Sequence, residues 1–177
     1  MFVFVRRTIV ACCLLLVAGC VTEELVVYKD NVVGKKGMKP FLGTYEVKQW
    51  LASKKPESVR VSKKDGEFSF SFVQSDKKIR MQFVLSKIPN TKKDLYLLSL
   101  PSQKDTKRAN MFFIGKAEKE QTRIWAVFPN SPVANEHLKF QGFKAKAVDV
   151  KKFLANHADA FVTENEPQVT LKKKAKH

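Results

Sequence analysis

Few residues of this chain have the type and spacing for chemistry, and the most distinctive of them lie in its first twenty positions. Its three cysteines are Cys12, Cys13 and Cys20. Leu14–Cys20 reads LLLVAGC, an apolar run that ends in two small residues and a thiol. That thiol is the one side chain there that can become a thioether, and small Ala18 and Gly19 let the backbone enter a peptidase cleft. No cysteine follows Cys20. The main body therefore has neither a disulfide framework nor a cysteine-based zinc site.

The remaining candidates are sparse. A covalent hydrolase needs a nucleophile beside a base, but no G-x-S-x-G occurs and no cysteine is left over. The seven glycines make no phosphate-cradling loop. His137 follows Glu136, His157 lies twenty residues further on, and His177 ends the chain. That separation is not metal-ligand spacing, so His157 is expected on a helix face near its C-terminal dipole. None of the 17 carboxylates pairs recognisably with another. Glu46 is the one loose acid–base candidate, at a barrel mouth, against the favoured reading of an ordinary surface glutamate, and Trp50 either lines a pocket or, more often for such a residue, caps a core. The expectation is a protein that is not an enzyme, with no catalytic residue and no metal.

The elements around Cys20 explain its position. Arg6 and Arg7 precede Thr8–Gly19, twelve residues without charge. A spanning helix needs about 20 apolar residues, whereas the apolar core of an export signal needs about 7–15. Val17–Cys20, VAGC, resembles the lipobox of bacterial lipoproteins: an aliphatic residue, two small ones and Cys. The resemblance implies cleavage between Gly19 and Cys20, a diacylglycerol thioether on Cys20, and an acyl chain such as palmitate on its new amino group. No other cofactor is expected. Cys12 and Cys13 then leave with the signal. RRTIV is similar to a twin-arginine export motif, but the plain basic start of an export signal is the favoured reading. Val21, not Asp, follows Cys20, which in such lipoproteins implies the outer membrane, facing the periplasm.

The charge suits an anionic partner and serves equally to keep the chain in solution. The chain carries a net charge of +16; residues 1–19 hold two arginines and no acid, so the mature charge is +14. An exported chain seldom meets nucleic acid, so the expected partners are acidic lipid, lipopolysaccharide or an envelope protein. The lysine pairs recur at turns and ends, where they also blunt sheet edges.

The mature chain is dominated by period-two alternation. GEFSFSFV sets Phe68, Phe70 and Phe72 on one face with Ser69 and Ser71 on the other, and ESVRVSKK alternates likewise. Asp65-Gly66 between them favours a tight hairpin. KKIRMQFVL follows a turn at Ser75-Asp76-Lys77. DLYLLSLP is apolar on both faces, as a doubly covered strand is. NMFFIGKA and TRIWAVF are two further strands across the turn at Glu118–Gln121, and 101–109 is a polar loop. Ser131 and Pro132 open a short helix. VDVKKFLANHADAF forms a longer one, with Asp149 as N-cap and Val150, Phe153, Leu154 and His157 or Phe161 on one stripe.

FLGTYEV, Phe41–Val47, resembles the opening of lipocalin-like barrels and of small bacterial lipoproteins, where a Gly-x-Trp pair starts the first strand and closes the floor; Tyr45 stands in the Trp position. The later order of a Phe hairpin, LYLLSL, RIWAVF and a terminal helix is similar to a group of uncharacterised lipoproteins. The expected fold is mainly β: an antiparallel meander of about six to eight strands, curled into a barrel or half-barrel, with one or two C-terminal helices. The expected segments are a signal at 1–19, lipidated Cys20 with a flexible tether to 40, the β domain at 41–163, and a loose basic tail at 164–177. The expected role is a membrane-anchored, non-catalytic binding or structural lipoprotein presenting a basic domain to an envelope partner or polymer. The alternative is a lipocalin-like carrier of a lipid or other apolar ligand.

Overall fold

A computed structural model describes residues 21–34, 37–50, 55–64, 67–74, 77–101 and 110–174. The signal segment, Cys20 and its cleavage site, the turn residues Asp65-Gly66 and Ser75-Asp76, most of the loop at 101–109, and residues 175–177 lie outside the described residues.

The strands are β1 (Val21–Thr22), β2 (Gly43–Gln49), β3 (Ser58–Lys64), β4 (Glu67–Gln74), β5 (Lys77–Lys87), β6 (Leu95–Leu100), β7 (Asn110–Ala117), β8 (Gln121–Ala126) and β9 (Val169–Lys173). Strands β2 to β8 form a meander, and β9 then inserts between β2 and β8. This closes an eight-stranded antiparallel barrel, with β1 added beside β7. Among the described residues no helix is long and apolar enough to cross a membrane.

Two cores follow from the alternation of faces. Inside the barrel, Phe68, Phe70 and Phe72 of β4 stand opposite Phe83, Met81 and Ile79 of β5. Phe70 stacks on Phe83 at 4.4 Å between ring centroids. Val47, Val59, Leu98, Ile124 and Leu171 fill the space from the other strands. The second core lies outside the wall, where helix α1 (Pro132–His137) and helix α2 (Ala147–Glu164) cover β6, β7 and β8. Leu95, Leu97, Phe112, Ile114 and Trp125 meet Val150, Phe153, Leu154 and Phe161 there. Trp125 Nε1 donates to the Asn165 carbonyl at 2.8 Å just past α2. The continuous apolarity of LYLLSL is thus explained, because Leu97 faces the helix while Leu98 faces the lumen. Full burial of such a side chain contributes roughly 1.5–3 kcal/mol.

Helix α2 starts earlier than the Asp149 cap implied. Lys146 occupies the N-cap without a side-chain bond, and Asp149 sits in the first turn, where its carboxylate complements the helix dipole. Ser131 does precede α1 with Pro132 in its first turn, yet its hydroxyl makes no capping bond.

Two segments expected to be loose are built into the fold. Residues 21–34 are not a free tether: β1 pairs with β7, Val26 is 1% exposed, and the Ser99 hydroxyl donates to the Val26 carbonyl. Tyr28 donates its hydroxyl to the Lys151 carbonyl at 2.6 Å, and Val33 N–H donates to Leu85 at 2.9 Å. The backbone of this segment finds partners because β7 and β5 leave edge and side-chain groups free to take them. Likewise, the tail supplies β9, whose Val169 and Leu171 point inward while Lys172 points out. The alternation of V-T-L-K satisfies a barrel wall despite the lysines that follow.

Both ends of β2 are covered. The 3-10 turn Lys39–Phe41 brings Met38 and Phe41 into the core, and Tyr45 donates its hydroxyl to the Phe41 carbonyl at 2.8 Å. Tyr45 is therefore a buried residue held by the turn that precedes its strand. Past the other end, Trp50 meets Phe72 edge-on at 5.3 Å, so it caps the core.

Gly115 points into the lumen under Leu98; a Cβ there would lie 2.3 Å from Leu98 Cδ1. Overpacking of this kind costs about 1–3 kcal/mol. Gly115→Ala should lower the urea midpoint accordingly, and its cost should shrink in a Leu98→Ala background. Additive effects in that cycle would show that the contact is relieved elsewhere.

Candidate functional site

The barrel lumen is the first place to seek a ligand. The space bounded by Phe41, Tyr45, Val61, Phe70, Phe83, Leu98, Thr122, Ile124 and Leu171 is a cavity of about 10 Å³. That is room on the scale of one water, against several hundred Å³ for an ordinary ligand site. A larger open cleft of about 450 Å³ lies outside, between Val27–Asn31, Pro89 and Lys151. Burial drives the Tyr28 hydroxyl above its ordinary range, so at neutral pH it remains a donor held by the Lys151 carbonyl.

The half of the wall not covered by helices is different. Here the outward residues of β9, β2, β3, β4 and β5 form rows across the strands. Thr44, Arg60, Ser71 and Arg80 stand side by side in register. Lys174 adjoins them, its N–H donating to the Thr44 carbonyl at 2.9 Å. A second row runs Lys172, Glu46, Ser58, and a third Ser62, Ser69, Gln82. The inward phenylalanines force this arrangement, because alternate residues of the same strands must face water.

Among the described residues, the cations Lys48, Arg60, Lys78, Arg80, Lys172 and Lys174 are exposed on this wall. Glu46 and Glu67 are the acids that share it. Arg80 lies across the serine row, its Nε donating to Ser69 Oγ at 3.1 Å, and Ser69 is fully covered. Gln82 donates to Glu67. Lys48 bonds Glu46 at 2.6 Å. That bond, with the charges of Lys174 and Lys172, holds the Glu46 carboxyl below its ordinary value. Glu46 is thus an ionised, solvent-facing group among lysines. This is the surface glutamate of the favoured sequence reading rather than a group at a barrel mouth. The wall offers hydroxyl donors and guanidinium forks side by side on its outer face, a combination suited to phosphate or carboxylate oxygens.

The structure also joins two histidines that sequence spacing kept apart. His137 and His157 stack with ring centroids 3.8 Å apart and planes 8° from parallel. His137 Nε2 lies 3.7 Å from Glu136, and Phe153 stacks on the other side of His157 at 5.9 Å. The contact arises from the packing of α1 on α2, which no local spacing encodes. Among the described residues, no group of three or more His, Cys, Asp or Glu side chains is placed to hold a metal. Burial and the neighbouring His137 push the His157 pKa down, against a smaller upward pull from Glu136.

The sign of that shift sets a pH dependence. Below the ordinary value of 6.5 the unfolded chain accepts a proton that folded His157 resists. Its contribution is complete above that pH and is lost as pH falls through the lowered value. Thermal melting should therefore drop more between pH 7.5 and 5 in the wild type than in His157→Phe. Equal drops would mean that the stacked pair does not govern the acid side. In comparisons with known proteins, the chain matches no family model, no curated protein and no solved structure.

Proposed function

We propose that this protein is an envelope lipoprotein, anchored through lipid on Cys20, whose barrel is a non-catalytic module that presents its basic wall to an anionic envelope polymer. The observation that carries this reading is the division of the barrel surface. Strands β6, β7 and β8 are buried under helices, and the other side carries an array of cations and hydroxyls around a filled lumen. The lipid supplies attachment, and the wall supplies affinity that depends on charge rather than on a pocket. The outer membrane, facing the periplasm, is the compartment that Val21 after Cys20 favours, and lipopolysaccharide is the polymer chosen as probe.

A lipocalin-like carrier would use the same closed barrel. Its ligand would have to displace Phe41, Tyr45, Phe70 or Phe83 from a lumen with about 10 Å³ free. The filled core therefore favours the wall over the lumen.

A basic residue near an anionic surface contributes about 1 kcal/mol. Arg60→Gln with Arg80→Gln should weaken binding to immobilised lipopolysaccharide on the order of tenfold at low salt. The slope of affinity against salt should flatten with it, because fewer counterions are released or screened. Binding by the double variant equal to wild type, or wild-type binding unchanged at about 1 M salt, would contradict the wall as the contact surface.

A further inference from the structure

The chain carries almost no slack between the proposed lipid and the folded barrel. Cys20 and Val21 are neighbours, about 3.8 Å apart at their α-carbons. Val21 is already docked: its N–H donates to the Phe143 carbonyl at 2.9 Å, and its carbonyl accepts from Ala145 N–H at 3.0 Å. The loop that grips it is the tight turn Gln141–Lys144, bonded across itself at 2.8 and 3.1 Å, with Gly142 at a φ of +64° that favours glycine. Whatever holds Cys20 therefore also holds this loop.

The surface at that point has the composition of a bilayer contact. Phe143 is 64% exposed and Val148, at the start of α2, is 54% exposed, two of four large exposed apolar residues among those described. Between residues 139 and 152 stand Lys139, Lys144, Lys146, Lys151 and Lys152, with Asp149 as the only acid. An apolar tip flanked by lysines suits an acidic headgroup layer, where the ring reaches the acyl boundary and the ammonium groups stay among phosphates.

We propose that the Gln141–Lys144 turn, with Phe143 at its tip and the lysines around it, is the face on which the barrel rests against a leaflet containing acidic phospholipid. This rests on lipidation of Cys20. It adds an orientation: β1 ties the turn to β7, and β3 lies four strands from β7 in either direction round the ring. The basic wall centred on β3 then points away from the membrane that holds the protein.

Depth quenching tests this with the full-length lipidated protein in phosphatidylethanolamine–phosphatidylglycerol vesicles, with plain or brominated acyl chains. Phe143→Trp and Val73→Trp each add an indole at an exposed site, Val73 being 59% exposed on the outer face of β4. Wild-type Trp50 and Trp125 provide the background. The added fluorescence of Phe143→Trp should fall at least twofold in brominated vesicles while that of Val73→Trp stays unchanged. Partition of each preparation in Triton X-114 reports the anchor separately. Detergent-phase protein with equal or absent quenching at both sites overturns the orientation and leaves the anchor standing. Protein confined to the aqueous phase removes the anchor and this inference with it.

Discussion

Five residues near the C-terminus, Val169–Lys173, join the first long strand of the barrel to the last. β9 pairs with β2 through Tyr45, Glu46, Val47 and Gln49, and with β8 through Gln121–Ile124. Without it the meander β2–β8 would be an open sheet with two bare edges, and the phenylalanines of β4 and β5 would line a trough. With it, Val169 and Leu171 complete the lumen, and Gln168 N–H donates to Ile124 at 3.0 Å while its side chain accepts from Ala126 at 2.7 Å. The closure is long-range in sequence, so its backbone pairing must outweigh the entropy of bringing the chain ends together.

Closure also divides the surface. The lumen is packed, and α1 and α2 cover β6, β7 and β8 on the outside to make a second core. What remains is the wall of β9, β2, β3, β4 and β5, whose outward positions hold serine, threonine, lysine and arginine because their inward ones hold Phe, Val and Leu. The same alternation that makes the core thus makes the charged surface. The N-terminal segment fits this division: it packs on the helical side, with Val26 in the outer core and Tyr28 bonded to α2.

Much of the barrel is readable from local pattern. Phe68, Phe70 and Phe72 declare their strand, and LYLLSL announces cover on both faces. Gly115, in contrast, is unremarkable until Leu98 is placed over it. The strand Val169–Lys173 has the same alternation as the others, but it is short and runs into lysines, and its value depends on two partners that only closure provides. Val26 and Tyr28 lie in LVVY, whose apolarity suggests a short edge strand; the segment forms none and is held instead through Ser99 and Ser86. The wall was legible only as net charge. That Arg60, Arg80 and Lys174 share one row depends on register, and register is set by pairings far apart in the chain. The His137–His157 stack has no local signature for the same reason.

The proposed function turns on the proposed lipidation of Cys20, which would give the basic wall its compartment and the docked N-terminal segment its purpose. Intact-mass analysis of the protein isolated from its native envelope tests it most directly. The account predicts a chain that begins at Cys20 and carries diacylglycerol with an added acyl chain. A mass corresponding to an unmodified chain that still contains Met1–Gly19 would contradict it.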